Sequence, residues 1–189
     1  MAKRLKKDML FKWLKNRAEK RQRAENIYWL TANHARHPLF FQDYQVPDSM
    51  TGRYELLCIH VYLLLERLRR EEDCRDLSQQ ITEILVKEIE RAYRDSGFQD
   101  LSIPKNVKKL IAGFYERTEA YKTGIRRNNV ELLVHSVNKF VYADQSDVNN
   151  HAPKLSIYML AAYNHLNLLP ISEIETANFA FISPDMESA

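Results

Sequence analysis

Apolar residues recur at helical spacing along most of this chain. Between Asp76 and Asp95, Leu77, Ile81, Ile84, Leu85, Ile89, Ala92 and Tyr93 keep a 3.6-residue period, and Gly97 stands where such a helix would stop. Val107, Leu110, Ile111, Phe114, Thr118 and Tyr121 line one face of a further helix, which begins after Ser102 with Pro104 in its first turn. Val130, Leu133, Val134, Val137 and Val141 predict another, and Leu155, Tyr158, Met159, Ala162 and Leu166 predict the last, after Pro153. From about Arg53 to Arg70 the pattern changes. Leu56 to Leu65 is apolar on almost every side, interrupted by His60, which marks a helix surrounded by others. Asp48, Ser49 or Thr51 is available as its cap.

The amino-terminal pattern is less sharp. Leu5, Met9 and Trp13 recur every four residues with Leu10 and Leu14 beside them, but Lys6 and Arg17 interrupt the stripe. This predicts a helix over about 3–24. A second one, over about 25–36, carries Ile27 and Leu30 with Tyr28 and Trp29 widening its apolar surface, and ends before Pro38. No stretch alternates as a strand does. With only four glycines, the chain also lacks the turn residues of a hairpin-rich fold. The expected fold is all-α, a compact bundle of about six or seven helices. A basic helical arm over 1–24 precedes a helical domain over 25–169 and an acidic tail over 170–189.

One stretch breaks the periodicity. In ARHPLFFQDYQVPDSMTGRYELL, residues 35–57, the residues Leu39, Phe40, Phe41, Tyr44 and Val46 fall in a run that Pro38 and Pro47 keep too short for a helix. Loops are ordinarily polar and superficial, because buried backbone needs partners. This one either folds inward as a wall of the core or offers its aromatics to a partner.

Charge adds a second asymmetry. The net charge of +3 divides into a basic head and a slightly acidic remainder: residues 1–25 hold ten Lys or Arg, among them Lys3, Arg4, Lys6, Lys7, Lys12 and Lys15, against three acids. From Pro170 onward there are four acids and no Lys or Arg. Such a head suits an anionic partner such as lipid or RNA phosphate, with Trp13 able to sit at headgroup level, or else is a solvated helix. Lys105, Lys108 and Lys109 crowd the opening turns of a helix, where the macrodipole disfavours cations. Either Asp100 or a docked anionic partner would offset that cost. Phe179 and Phe181 either fold the tail back on the body, or its acids cover the basic head.

Candidate chemistry is sparse. His34 and His37 lie three apart with Asp43 and Asp48 further on, but nothing fixes the three or four converging ligands a metal needs. Cys58 and Cys74 suggest neither a disulfide framework nor a zinc spacing, which favours a reducing compartment. Nucleotide loops and the nucleophile elbow are absent. No apolar run reaches the roughly 18 residues of a membrane span, and the basic start lacks the apolar region of a secretory signal. For an enzyme, His34, His60 and Glu55 are the residues to inspect. No catalytic group, metal or cofactor is expected. The expectation is a binding protein.

Two blocks carry a family resemblance. The segment ARHPLFFQDYQVPDSMTGRYELLCIHVYLLLERLR supplies an aromatic run after Pro38, a Val46-Pro47-Asp48 turn, Gly52-Arg53 and a long apolar helix. The segment DLSIPKNVKKLIAGFYERTEAYK supplies Asp100, Leu101, Ser102, Pro104 and Lys105, then Phe114, Tyr115 and Arg117. Both resemble the marked blocks of the ubiquinol–cytochrome c chaperone family, the assembly factors of respiratory complex III. The likeness spans about residues 35–122 and extends more loosely toward Tyr142.

The resemblance implies an all-helical, non-enzymatic chaperone that binds newly made cytochrome b and promotes its incorporation into complex III. It implies a bacterial-type member, cytoplasmic and peripheral at the inner-membrane face, or on the matrix side of the inner membrane in a mitochondrion. Expected partners are cytochrome b, the ribosome, an anionic membrane surface and a small partner protein, with no DNA. Large exposed apolar patches mark interaction sites. On that ground Leu39, Phe40, Phe41, Tyr44 and Val46 are the candidate client contacts, with the basic residues as a tether. The competing reading is an RNA- or ribosome-binding regulator that makes no client contact.

Overall fold

The computed structural model describes residues 2–95, 103–143 and 151–185, with the side chains of 2–14 and 103 outside that description. The described residues form eight α-helices and no strand. They are α1 (Ala2–His34), α2 (Leu39–Gln42), α3 (Met50–Leu68), α4 (Arg75–Asp95), α5 (Ile103–Arg127), α6 (Val130–Phe140), α7 (Ala152–Leu168) and α8 (Ile171–Glu175). Six follow the periodicities above, and two short ones, α2 and α8, fall in stretches read as a broken run and a tail. A 3-10 turn, Glu72–Cys74, leads into α4.

The two helices expected before Pro38 form one. No proline or glycine separates them, and polar pairs span the expected boundary: Arg21 Nε donates to Glu25 Oε1 at 3.0 Å, and Gln22 Nε2 to Asn26 Oδ1 at 3.0 Å. Thirty-three residues at 1.5 Å each make a rod of about 50 Å. Residues 15–23 are exposed, and Ala24 is the first buried position after them.

At the centre lies α3. Ser49 caps it by accepting from the Gly52 N–H at 3.1 Å, and Leu56, Ile59, Leu63 and Leu64 are fully buried. Helices α1, α4, α5 and α7 pack around it. The pattern read from Leu56 to Leu65 follows from that position, since a helix enclosed by neighbours has no polar face to keep. Gly52 carries a specific constraint: a Cβ there would stand 2.0 Å from the Pro47 carbonyl oxygen, so only glycine lets the Val46–Pro47 turn cross the helix start. Asn129 caps α6 through the Leu132 N–H at 3.0 Å.

Residues 38–47 fold inward. A single helical turn, α2, satisfies part of the backbone, and Val46 N–H donates to the Phe40 carbonyl at 3.0 Å. With its polar groups paired internally the segment tolerates burial. Phe40 and Tyr44 have no exposed surface, and Val46 has 2%. The tail also returns to the body, burying Ile174, Phe179 and Phe181. Arg67 ties this end together, donating from Nε to the Leu166 carbonyl at 3.0 Å and from its terminal nitrogens to the Leu169 carbonyl and Glu71.

Candidate interaction site

The largely apolar groove of about 610 Å³ lies where the carboxyl half of α1, the start of α3, the end of α4 and the first turns of α5 meet. Trp29, Met50, Leu57, Ile89, Tyr93 and Leu110 line it, with Arg36, Arg53 and Glu88 among its polar residues. Trp29 and Met50 are 37% and 65% exposed, so large apolar side chains are left in contact with water at the groove. Such exposure is uncommon for a contiguous set and marks an interaction surface.

A buried ion pair forms part of the lining. Arg117 of α5 grips the Glu55 carboxylate of α3 with both arms of its guanidinium, Nε to Oε2 at 2.5 Å and the second terminal nitrogen to Oε1. Its remaining nitrogen, Nη1, donates to the Gly113 carbonyl at 2.9 Å. The guanidinium also lies 4.7 Å from the Phe140 ring centroid and 5.5 Å from that of Tyr54, whose hydroxyl donates to the Leu110 carbonyl at 2.7 Å. Burial raises the Glu55 carboxyl above its ordinary value, and Arg117 offsets part of that rise. Both candidate motif residues here, Arg53 and Arg117, thus have placed roles: Arg53 pairs with Asp48 at 2.7 Å and lies over the Phe41 ring at 5.7 Å.

The expected client contacts fall elsewhere. Phe40, Tyr44 and Val46 are interior residues, which corrects the expectation that they present an exposed surface, and Leu39 and Phe41 are half-buried. No residue of 38–47 lines the groove; Phe41 meets it only indirectly, beneath Arg53, which does. The groove residues Trp29 and Met50 are not among the client contacts expected from the sequence. The available signal was the aromatic pair Tyr28–Trp29, which makes the apolar surface of α1 wider than one packing stripe requires.

A second cluster lies inside the bundle. His60 Nδ1 is 2.7 Å from the Leu56 carbonyl oxygen, which only accepts, so Nδ1 carries the proton and Nε2 of the neutral ring accepts. Tyr158 Oη then donates to His60 Nε2 at 2.9 Å, and His34 Nε2 donates to Tyr158 Oη at 2.8 Å. Burial lowers His34 to about 4, helped by His37, and lowers His60 to about 3, helped by His34. Both rings are therefore neutral at pH 7, and the chain of donors runs one way through the core. Of the residues singled out for possible catalysis, His60 is sealed in this cluster and Glu55 is held by Arg117. No group of three or more His, Cys, Asp or Glu converges as a metal site among the described residues.

The basic candidates are distributed at the surface. Lys15 is exposed and stands 3.9 Å from Glu19. Lys3, Arg4, Lys6, Lys7 and Lys12 lie on α1, and their side chains fall outside the described residues. Lys105, Lys108 and Lys109 are exposed on the opening turns of α5 and make no ion pair among the described residues; Pro104, also exposed, stands at the helix start. Asp100, Leu101 and Ser102 of the same motif lie outside the described residues, as does Gly97. Phe114 is buried, and Tyr115 beside it is 55% exposed.

Comparison with known proteins accords with the motifs. The family model described as ubiquinol-cytochrome C chaperone matches residues 42–181, further toward the carboxyl terminus than the sequence blocks alone reached. The crystal structure of the Cbp3 homolog from Brucella abortus superposes with a TM-score of 0.83 at 26% identity, covering 94% of this chain and 98% of that one. No curated protein matches. With about three-quarters of its length inside the family model, this chain belongs to the ubiquinol–cytochrome C chaperone family.

Proposed function

We propose that this protein is an assembly chaperone that binds newly made cytochrome b and promotes its incorporation into respiratory complex III. It acts by binding rather than by catalysis, peripherally at the cytoplasmic face of the inner membrane. The observation that supports the reading is the apolar groove between α1, α3, α4 and α5, with Trp29 and Met50 at solvent. A client made of long apolar helices requires such a surface until its partner subunits cover it. No described helix is long and apolar enough to cross a membrane, so contact with the bilayer would come from the surface. The exposed turns of α1 over 15–23 favour an electrostatic tether, each Lys or Arg near an anionic leaflet contributing about 1 kcal/mol. Lys105, Lys108 and Lys109 form a second candidate contact for an anion.

The test is a reduced-minus-oxidised difference spectrum of membranes from cells lacking the gene. Loss of the complex III b-type signal, restored by the wild type and poorly by Trp29→Ser/Met50→Ser, is the expected result. An unchanged spectrum with normal quinol–cytochrome c activity overturns the reading. The exposed basic helix also favours a second reading, a regulator that contacts RNA or the ribosome alone. Its binding would fall steeply between low and moderate salt, whereas apolar client binding would not.

A further inference from the structure

Residues 176–185 leave α8 through Ala177, whose φ of 57° places a non-glycine residue in the left-handed region. Beyond it the chain is neither helix nor strand. Phe179 and Phe181 are buried while Asn178 and Ala180 are exposed, the alternation of an extended segment that turns every second side chain inward. Phe181 lies flat on His34, with ring centroids 5.1 Å apart and planes 20° apart, and edge-on to His60 at 5.3 Å. Two carbonyls complete the seat: Pro184 accepts from Tyr44 Oη at 2.7 Å, and Ala180 from His165 Nε2 at 3.0 Å.

This anchoring differs in kind from that of the helices. Among the described residues, no backbone–backbone hydrogen bond ties 179–184 to another element. Buried Phe179, Phe181 and Pro184, half-buried Ile182 and two side-chain donors hold it, with no backbone ladder behind them. A segment held by side chains alone, without a backbone ladder, opens more easily than the helices it packs on.

We propose that residues 178–184 are a displaceable strap. Seated in cis, they close an aromatic surface formed by His34, Tyr44 and His60, and an extended apolar segment of a client, with large side chains two residues apart, takes their place. The strap's own Phe-x-Phe spacing defines what the surface accepts. Only the source of that segment rests on the chaperone reading. The surface is separate from the groove, and its exchange is measurable without any client.

The test uses the full-length protein and a fluorescein-labelled peptide with the sequence of residues 176–185, followed by anisotropy. In the wild type the tethered segment competes at a high effective concentration and binding is weak. Phe179→Ser/Phe181→Ser, with its own strap weakened, is expected to bind the peptide at least about tenfold tighter. A peptide with both phenylalanines replaced by serine is expected to bind neither protein. Equal binding of the Phe peptide by both proteins, or no binding by a variant that keeps its helical circular dichroism, overturns the proposal. Should the double variant not fold, Phe181→Leu is measured in the same way. A gain in peptide affinity over the wild type then supports the strap, and no gain overturns it. Failure here leaves the groove reading standing, because that reading is tested by Trp29→Ser/Met50→Ser.

Discussion

Glu55 and Arg117, sixty-two residues apart in sequence, form an ion pair in which the carboxylate is 1% exposed and the guanidinium 17%. The pair joins α3 to α5 beside the groove, and the Phe140 ring covers the guanidinium from α6. Removing one partner leaves a buried charge uncompensated. Arg117→Ala is expected to cost about 3–5 kcal/mol in chemical denaturation. A double replacement by apolar residues of similar volume, Glu55→Leu/Arg117→Met, recovers most of that loss, because neither member then needs a partner.

The buried histidines give stability a defined pH dependence. Both are held below their ordinary value, at about 4 for His34 and about 3 for His60. Between those values and the unfolded value near 6.5, the unfolded chain binds more protons than the folded one, so stability rises with pH. Their contribution is fully present above pH 6.5 and is lost as pH falls toward 4 and then 3. Each histidine removes about 1.4 kcal/mol per pH unit within its window. Urea midpoints measured from pH 7 to pH 4 are expected to fall accordingly, and His34→Gln/His60→Gln flattens this slope while lowering stability at pH 7.

Gly52 is fixed by the close crossing of the turn before α3. A methyl group would meet the Pro47 oxygen at 2.0 Å and the Val46 side chain at 3.3 Å. Gly52→Ala is expected to destabilise by about 1–3 kcal/mol, despite alanine's better helix propensity. Thermal melting of the variant reads the difference directly.

Burial separates two kinds of aromatic and apolar residue that the sequence presents alike. Phe40→Ala empties a fully buried site and is expected to cost about 3–5 kcal/mol. Met50→Ser, at a residue 65% exposed, is expected to change stability by no more than about 0.5 kcal/mol. Binding of a synthetic apolar client helix should show the reverse. Trp29→Ser/Met50→Ser is expected to weaken it roughly tenfold or more, since burying each such side chain contributes about 1.5–3 kcal/mol. Isothermal titration with wild type and variant provides the comparison.

Sequence alone determined the long helices, because their spacing is a local property: the stripe from Leu77 to Tyr93 and the all-round apolar run from Leu56 to Leu65 need no tertiary knowledge to read, whereas the single turns α2 and α8 are too short to show a period. It also identified the family, since the Val46-Pro47-Asp48, Gly52-Arg53 and Phe114-Tyr115-x-Arg117 motifs stand in order along the chain. It misplaced one boundary, within α1, where nothing in residues 23–26 breaks a helix and polar pairs carry it through. Tertiary structure decided which apolar side chains remain at the surface. Phe40 and Trp29 are both large aromatic residues, but α1, α3 and α7 enclose Phe40 through His34, His60 and Tyr158, while the meeting of α1, α3, α4 and α5 leaves Trp29 beside an open groove. Exposure depends on which distant elements arrive at a residue, and that information is not local to any stretch of the chain.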